Sequence, residues 1–219
     1  MKKKYLQEVK EVIKGNDLKV STPFIIALSG LPGSGKTTTA ETLSKRTNAY
    51  LLSSNYVRNN LYEQEKDKSS EKVRKKIQRK TAIIQFLRMI KLMIKKIPVI
   101  IDADMNTTKR YKFLKLISKI FAFKFLTIRI ESPNLDTNYQ RISKRTMDLR
   151  KVNSNIIGDN TACSNNYSKE VFNQIIERKP QNIQNIPFDY TIKNDSNKKN
   201  FQAKVRSVGD KINQRTRKN

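Results

Sequence analysis

Uninterrupted apolar runs alternate with amphipathic stretches along this chain of 219 residues. Residues 24–29 (FIIALS) are continuous in character, with Pro23 at their mouth, as expected of a strand buried on both faces of a parallel sheet. Residues 49–54 (AYLLSS), 98–105 (PVIIDADM) and 122–132 (AFKFLTIRIES) read as three more strands, and 188–195 (FDYTIKND) as a short last one. Between them the pattern predicts helices over 36–47, 55–65, 69–97, 106–121, 134–151 and 169–178. A short amphipathic helix over 3–14 precedes the first strand, with Leu6, Val9 and Ile13 on one face. The longest periodic segment carries Val73, Ile77, Ile84 and Leu87 in one stripe, with Ile83, Ile90 and Ile94 alongside, and lysines and arginines opposite. Ser70 is a fitting N-cap for it, and Pro98 ends it. Residues 152–166 read as a loop, and the stretch from 197 as a basic, partly helical tail. No internal repeat is visible.

Strands alternating with helices imply right-handed crossovers. The expected architecture is α/β, a parallel sheet of about five strands with helices on both faces. It forms a single domain over 1–219, with its core at about 23–193, a small basic helical lid at about 134–165 and the tail at 197–219. Ligands in such sheets bind beyond the carboxyl ends of the strands, where every motif discussed below falls.

The first run leads into GLPGSGKTT, residues 30–38, which holds three of the chain's 6 glycines. Gly30-x-x-x-x-Gly35-Lys36-Thr37 is the P-loop pattern, with the strand before it and the helix after it that the pattern requires. Glycines let the backbone wrap until successive N–H groups point at phosphate oxygens, and the helix N-terminus adds partial positive charge. Gly30, Gly33, Ser34, Gly35, Lys36, Thr37 and Thr38 therefore form the expected nucleotide cradle. Lys36 is suited to bridging the β- and γ-phosphates, and Thr37 to giving its hydroxyl to Mg²⁺. Asp102 closes a short apolar run, where a carboxylate can meet Thr37 or a water on Mg²⁺.

Composition narrows the rest. With 37% hydrophobic residues and no apolar stretch long enough to cross a bilayer, a membrane span is not expected. The single Cys163 excludes an intrachain disulfide and zinc–thiolate clusters, which fits a cytoplasmic setting. Histidine is absent, so a general base has to be a carboxylate or, less readily, a lysine or tyrosine. The formal charge is +27, from 46 Lys and Arg against 19 Asp and Glu. Such charge attracts polyanions, above all nucleic acid; abundant Lys, Asn and Ile make compositional drift an equal explanation. Lys72, Arg74, Lys75, Lys76, Arg79 and Lys80 are either the wet face of a helix or a track for a phosphate backbone. Aromatic residues are sparse along that run, which weighs against stacking-based recognition of single strands.

LPGS within the loop, TTTAETLSK after it, LLSSNYVRNNL and VIIDADMN together resemble the small P-loop kinases. The likeness is greatest to the 5′-hydroxyl polynucleotide kinase and zeta-toxin relatives, with a similar second motif in adenylylsulfate kinases. It covers about residues 23–145. The resemblance implies a P-loop NTPase fold, ATP and Mg²⁺, and transfer of the γ-phosphoryl group to a hydroxyl-bearing acceptor. That acceptor is a polynucleotide 5′-hydroxyl or a small metabolite. In those kinases the second strand ends in a Ser-Asp-x-x-Arg pattern, whose Asp accepts the hydroxyl proton and whose Arg grips an anion on the acceptor. Here the positions are Ser54, Asn55, Tyr56, Val57 and Arg58: the Arg is retained and the Asp is an amide. An amide orients a hydroxyl but takes up no proton near neutral pH. The resemblance also implies acceptor contacts at Asp104 and Asn106 and lid arginines at Arg141 and Arg145, with Lys144 beside them. Two readings remain open: a kinase, with its base relocated to Asp102 or Asp104 or its rate reduced, and a nucleotide-binding protein with little or no transfer. A GTPase is disfavoured by the lack of an Asn-Lys-x-Asp stretch. Oligomeric state is not legible.

Overall fold

A computed structural model describes residues 22–64, 71–103, 105, 107–132, 134–152, 169–178, 186–195 and 197–217. Five strands among them, β1 (Phe24–Gly30), β2 (Tyr50–Ser53), β3 (Val99–Asp102), β4 (Lys124–Glu131) and β5 (Tyr190–Lys193), pair in the order β2-β3-β1-β4-β5. All four pairings are parallel, with Ile25 opposite Val99 and Phe125, and Ser53 opposite Asp102. Parallel strands need crossovers, and helices supply them.

Alternation along β1 sorts the core into two layers. Phe24, Ile26 and Leu28 point to the side covered by α1 (Lys36–Thr47), through Ala40 and Leu43, and by α7 (Lys198–Arg217), through Phe201, Val205 and Ile212. Ile25 and Ala27 point to the opposite side, against Met89, Leu92 and Met93 of α3 (Glu71–Ile94) and Leu114 of α4 (Thr108–Ile120). Every residue of β1 is buried, as expected of a strand covered on both faces. A third, smaller cluster joins α2 (Ser54–Glu63) to the first half of α3 through Val57, Leu61, Tyr62, Ile77 and Ile84. The stretch expected to form a lid begins as α5 (Leu135–Val152), and α6 (Lys169–Arg178) rests on it through Phe172, whose ring centroid lies 5.6 Å from that of Tyr139.

Two expectations are corrected. Ile83, Leu87 and Ile94 are not core residues: they are 53%, 40% and 61% exposed. The buried face of α3 keeps Ile77 and Ile84 of the expected stripe but continues through Thr81, Arg88 and Leu92 in place of Leu87. Burial of Arg88 is supported by Tyr50, whose hydroxyl accepts from its Nη2 at 2.6 Å while the ring lies 5.8 Å from the guanidinium carbon. Residues 197–219, read as a tail, contain the 20-residue α7, which belongs to the core layer on α1. Arg46 Nε lies 2.6 Å from Asp210 Oδ1, and Asn213 Nδ2 donates to the Arg46 carbonyl at 3.0 Å. The arginine holds the Asp210 carboxyl below its usual range. That ion pair therefore stabilises at neutral pH and loses its effect as pH falls through the lowered value, and its exposure keeps it weak. The 3–14 helix, Ser70, the 152–166 loop from residue 153 onward, and Cys163 lie outside the described residues.

Glycine scarcity leaves a mark at the helix ends. Asn48, Lys96 and Ala122 carry left-handed φ values of 53°, 57° and 56°, where chains usually place glycine. Ala122 is exposed and follows α4. Ala122→Gly is expected to stabilise the fold by about 0.5–1 kcal/mol, relief of left-handed strain outweighing added unfolded-state entropy. Thermal unfolding followed by circular dichroism should show a rise of about 1–4 °C.

Candidate functional site

β1 runs into the loop 31–35 and α1 starts at Lys36, so the glycine motif forms the strand-to-helix turn. The Ser34 N–H donates to the Leu31 carbonyl at 3.2 Å. Gly33 and Gly35 have φ of 75° and 106°, in the region that disfavours side chains. Space forbids them as well. A Cβ on Gly33 would lie 2.4 Å from the Asn138 carbonyl oxygen of α5, and one on Gly35 2.9 Å from Asn194 Nδ2. The backbone is thus held between α5 and the end of β5, and the first N–H groups of α1, as at any helix start, have no intrahelical acceptor. Lys36 Nζ donates to the carbonyls of Gly30 at 2.9 Å and Leu31 at 2.8 Å, setting its charge across the loop.

Asp102 ends β3 beside this loop and is 7% exposed. Thr37 Oγ1 donates to its Oδ1 at 3.5 Å. One hydroxyl and one buried carboxylate are hard oxygen donors of the kind Mg²⁺ accepts. Among the described residues no group of three or more His, Cys, Asp or Glu could hold a metal. Mg²⁺ bound largely through phosphates and waters requires no such cage, so the residues present fit that ion.

Opposite the loop, Ser53 caps α2: its side chain accepts from the Tyr56 N–H at 3.5 Å. That cap starts the helix so that Asn55 and Arg58, three residues apart, share a face. Both line one cavity of about 1180 Å³ together with Lys36, Thr37, Asp102 and Arg141. Arg141 of α5 reaches the loop itself, its Nη1 donating to the Gly33 carbonyl at 3.3 Å and its Nη2 to Asn194 Oδ1 at 3.4 Å. Arg145 falls one turn further along α5; its side chain, Asp104 and Asn106 lie outside the described residues. Lys144 is exposed. Asn194, not singled out from the sequence, is 5% exposed and ties the site together: its Nδ2 donates to the Ser34 carbonyl at 2.7 Å and its N–H to the Glu131 carbonyl at 2.8 Å. The available signal was its place just past the carboxyl end of a strand. Gln78, Thr81, Gln85, Phe86, Arg110 and Phe113, from α3 and α4, complete the wall facing the loop. These too were missed.

A central parallel strand feeding a glycine cradle, with a carboxylate at the end of the adjacent strand, defines a P-loop NTPase fold of the build found in P-loop kinases. The chain belongs to the AAA domain family, whose pattern matches residues 25–154. No curated protein matches the chain. Among solved structures it is similar to a candidate kinase of Chloroflexus aurantiacus, at 16% identity over 85% of this chain and 97% of that one, with a TM-score of 0.64. It is also similar to the PezAT chromosomal toxin–antitoxin system of Streptococcus pneumoniae, at 18% identity over 71% and 65% of the two chains and a TM-score of 0.57. Kti12 of Chaetomium thermophilum, in complex with ADP-AlF3, gives 17% identity over 86% and 96% and a TM-score of 0.54. At these identities the likeness is one of fold. No helix among the described residues is long and apolar enough to cross a membrane.

Proposed function

We propose that this protein is an ATP- and Mg²⁺-dependent phosphotransferase that moves the γ-phosphoryl group to a hydroxyl of a separate acceptor. The observation that carries the reading is a single cavity, with the glycine cradle and Lys36 at one side and Asn55 and Arg58 at the other. A nucleotide hydrolase needs no such wall facing the cradle. In this reading the backbone N–H groups of residues 33–37 and Lys36 hold the triphosphate, and Thr37 and Asp102 hold Mg²⁺, which when bound neutralises phosphate charge. Arg58 grips an anion on the acceptor, and Asn55 orients the attacking hydroxyl by hydrogen bonding. A bond forms from the acceptor oxygen to the γ-phosphorus as the bridging bond to the β-phosphate breaks. ADP leaves with the electron pair, and the hydroxyl proton passes to solvent. Arg141, with Arg145 a turn away on the same helix, acts as the lid that stabilises charge developing on the phosphoryl group. Asp104 and Asn106 are retained as acceptor contacts from the β3 end. Kti12 in its ADP-AlF3 complex supports the nucleotide part by analogy of fold alone.

Asn55 favours a second reading, a nucleotide-binding protein with weak or no transfer, since the amide accepts no proton. Labelled ATP with Mg²⁺, offered to panels of 5′-hydroxyl oligonucleotides, nucleosides, nucleotides, sugars and antibiotics, tests the first against the second. Label on an acceptor is expected. ATP binding with no transfer to any acceptor would leave the second reading.

A further inference from the structure

The cavity wall opposite the cradle has features that neither phosphate binding nor packing explains. Phe86 of α3 and Phe113 of α4 are 39% and 46% exposed, yet their ring centroids lie 5.9 Å apart at 42° and both rings line the cavity. Large apolar rings held in a cavity and left wet favour a ligand that covers them. Beside them stand polar atoms buried without a hydrogen-bond partner: Arg58 Nε, Thr81 Oγ1 and Gln85 Oε1. Thr81 is 4% exposed. Gln85 Nε2 is engaged, donating to the Ser53 carbonyl at 2.6 Å, which leaves its Oε1 to accept from something else. Each such orphan is destabilising, and most buried polar atoms avoid it. Three on one cavity wall, contributed by two helices, are open to hydrogen bonding by a ligand that covers the rings. The described residues lining the cavity also include five cations, Lys36, Arg58, Arg110, Arg141 and Lys198, against the single carboxylate Asp102.

Resting on the phosphotransferase reading, we propose that this wall is the acceptor subsite and that it selects a flat, ring-bearing hydroxyl compound carrying a negative charge, of the nucleoside phosphate class. Phe86 and Phe113 cover the ring, Arg58 meets the anion, and Thr81 and Gln85 satisfy polar edge groups, Gln85 as acceptor. A sugar phosphate would answer Arg58, Thr81 and Gln85 but leave both rings in water. Free mononucleotides and the 5′-hydroxyl end of an oligonucleotide carry the same ring and phosphate chemistry, and the assay separates them.

The experiment measures binding apart from transfer. The ATP-saturated protein is titrated calorimetrically with adenosine 3′-monophosphate, a 5′-hydroxyl dinucleotide, ribose 5-phosphate and gluconate, and transfer from labelled ATP is followed in parallel. At least one of the two ring-bearing ligands should bind, and the sugars at least tenfold more weakly. Phe113→Ala should weaken that binding about 5- to 150-fold, the range for a lost ring–ring contact, with the ATP dissociation constant held. Thr81→Val removes the hydroxyl at nearly constant shape. It should raise the thermal midpoint, because a buried orphan is gone, and still weaken the ring-bearing ligand about 2- to 12-fold through one lost hydrogen bond. A merely structural Thr81 would give the first effect without the second. Equal or better binding of the sugars, or Phe113→Ala and Thr81→Val affinities within twofold of the parent, would overturn the subsite and leave the phosphotransferase reading intact. Ring-selective binding sensitive to both substitutions, with no transfer to any ligand, would keep the subsite and overturn that reading.

Discussion

Lys36→Ala is expected to weaken ATP binding about 10²- to 10⁴-fold and to bring phosphoryl transfer below detection. Lys36 Nζ now bonds two loop carbonyls, and in the proposed complex the same amine reaches phosphate oxygens. Hydrogen bonds to charged groups contribute about 1.5–3 kcal/mol each, and two of them give that range at 1.4 kcal/mol per decade. The fold should survive, because Lys36 is the first residue of α1 and only half-buried. No packed apolar group is lost, and alanine is the best helix former. Calorimetric titration with ATP and Mg²⁺ reads the affinity, and circular dichroism the fold. A folded variant that binds ATP as the parent does would refute the nucleotide site.

Asn55→Asp is expected to raise the turnover number, with ATP affinity nearly unchanged. The residue lies in the first turn of α2 and lines the cavity across from the cradle, so its effect falls on the acceptor. A carboxylate there regains proton acceptance at the same reach. General bases contribute about 10²–10⁴-fold, but two features argue for the lower end. The α2 N-terminus and Arg58 three residues on both favour the charged carboxylate, which keeps it ionised and makes it a weaker base. The loose transition state of phosphoryl transfer also asks little of a base. The same helix terminus should add about 0.3–1 kcal/mol of stability. Single-turnover kinetics with labelled ATP and the best acceptor decide the matter. A variant slower than an active parent would show that Asn55 is matched to its acceptor and that the base lies elsewhere. Asp102→Asn and Asp104→Asn would then locate it.

How far these expectations were legible varies by residue. The strand 24–30, the cradle and α1 could be read directly, because a continuous apolar run, a glycine spacing and a helix start are local features of neighbouring residues. Asp102 and the Asn55–Arg58 pair could be placed at strand ends for the same reason, since in a parallel sheet those ends converge on one edge. Face assignment on α3 could not. Its periodicity offered the stripe Val73, Ile77, Ile84 and Leu87 with Ile83, Ile90 and Ile94 alongside, and only part of that surface is buried. The observed rotation buries Thr81 and Arg88 instead, because Tyr50 on the neighbouring β2 supplies a partner for the arginine. A partner 38 residues away leaves no trace in a helical window. The packing of the helix 198–217 was hidden in a similar way: its charge reads as a partly helical tail, and only α1 makes the spacing of Phe201, Val205 and Ile212 a buried face.

The sequence by itself therefore determined the nucleotide half of this protein, since phosphate is bound by backbone N–H groups and a helix terminus built from consecutive residues. Tertiary structure alone decided which distant residues brace the cradle and complete the cavity wall. Asn194 meets Ser34 across 160 positions, and Phe86 meets Phe113 from a different helix. Such contacts follow from the packing of helices on a shared sheet, which sets neighbours by position in space and not by spacing along the chain.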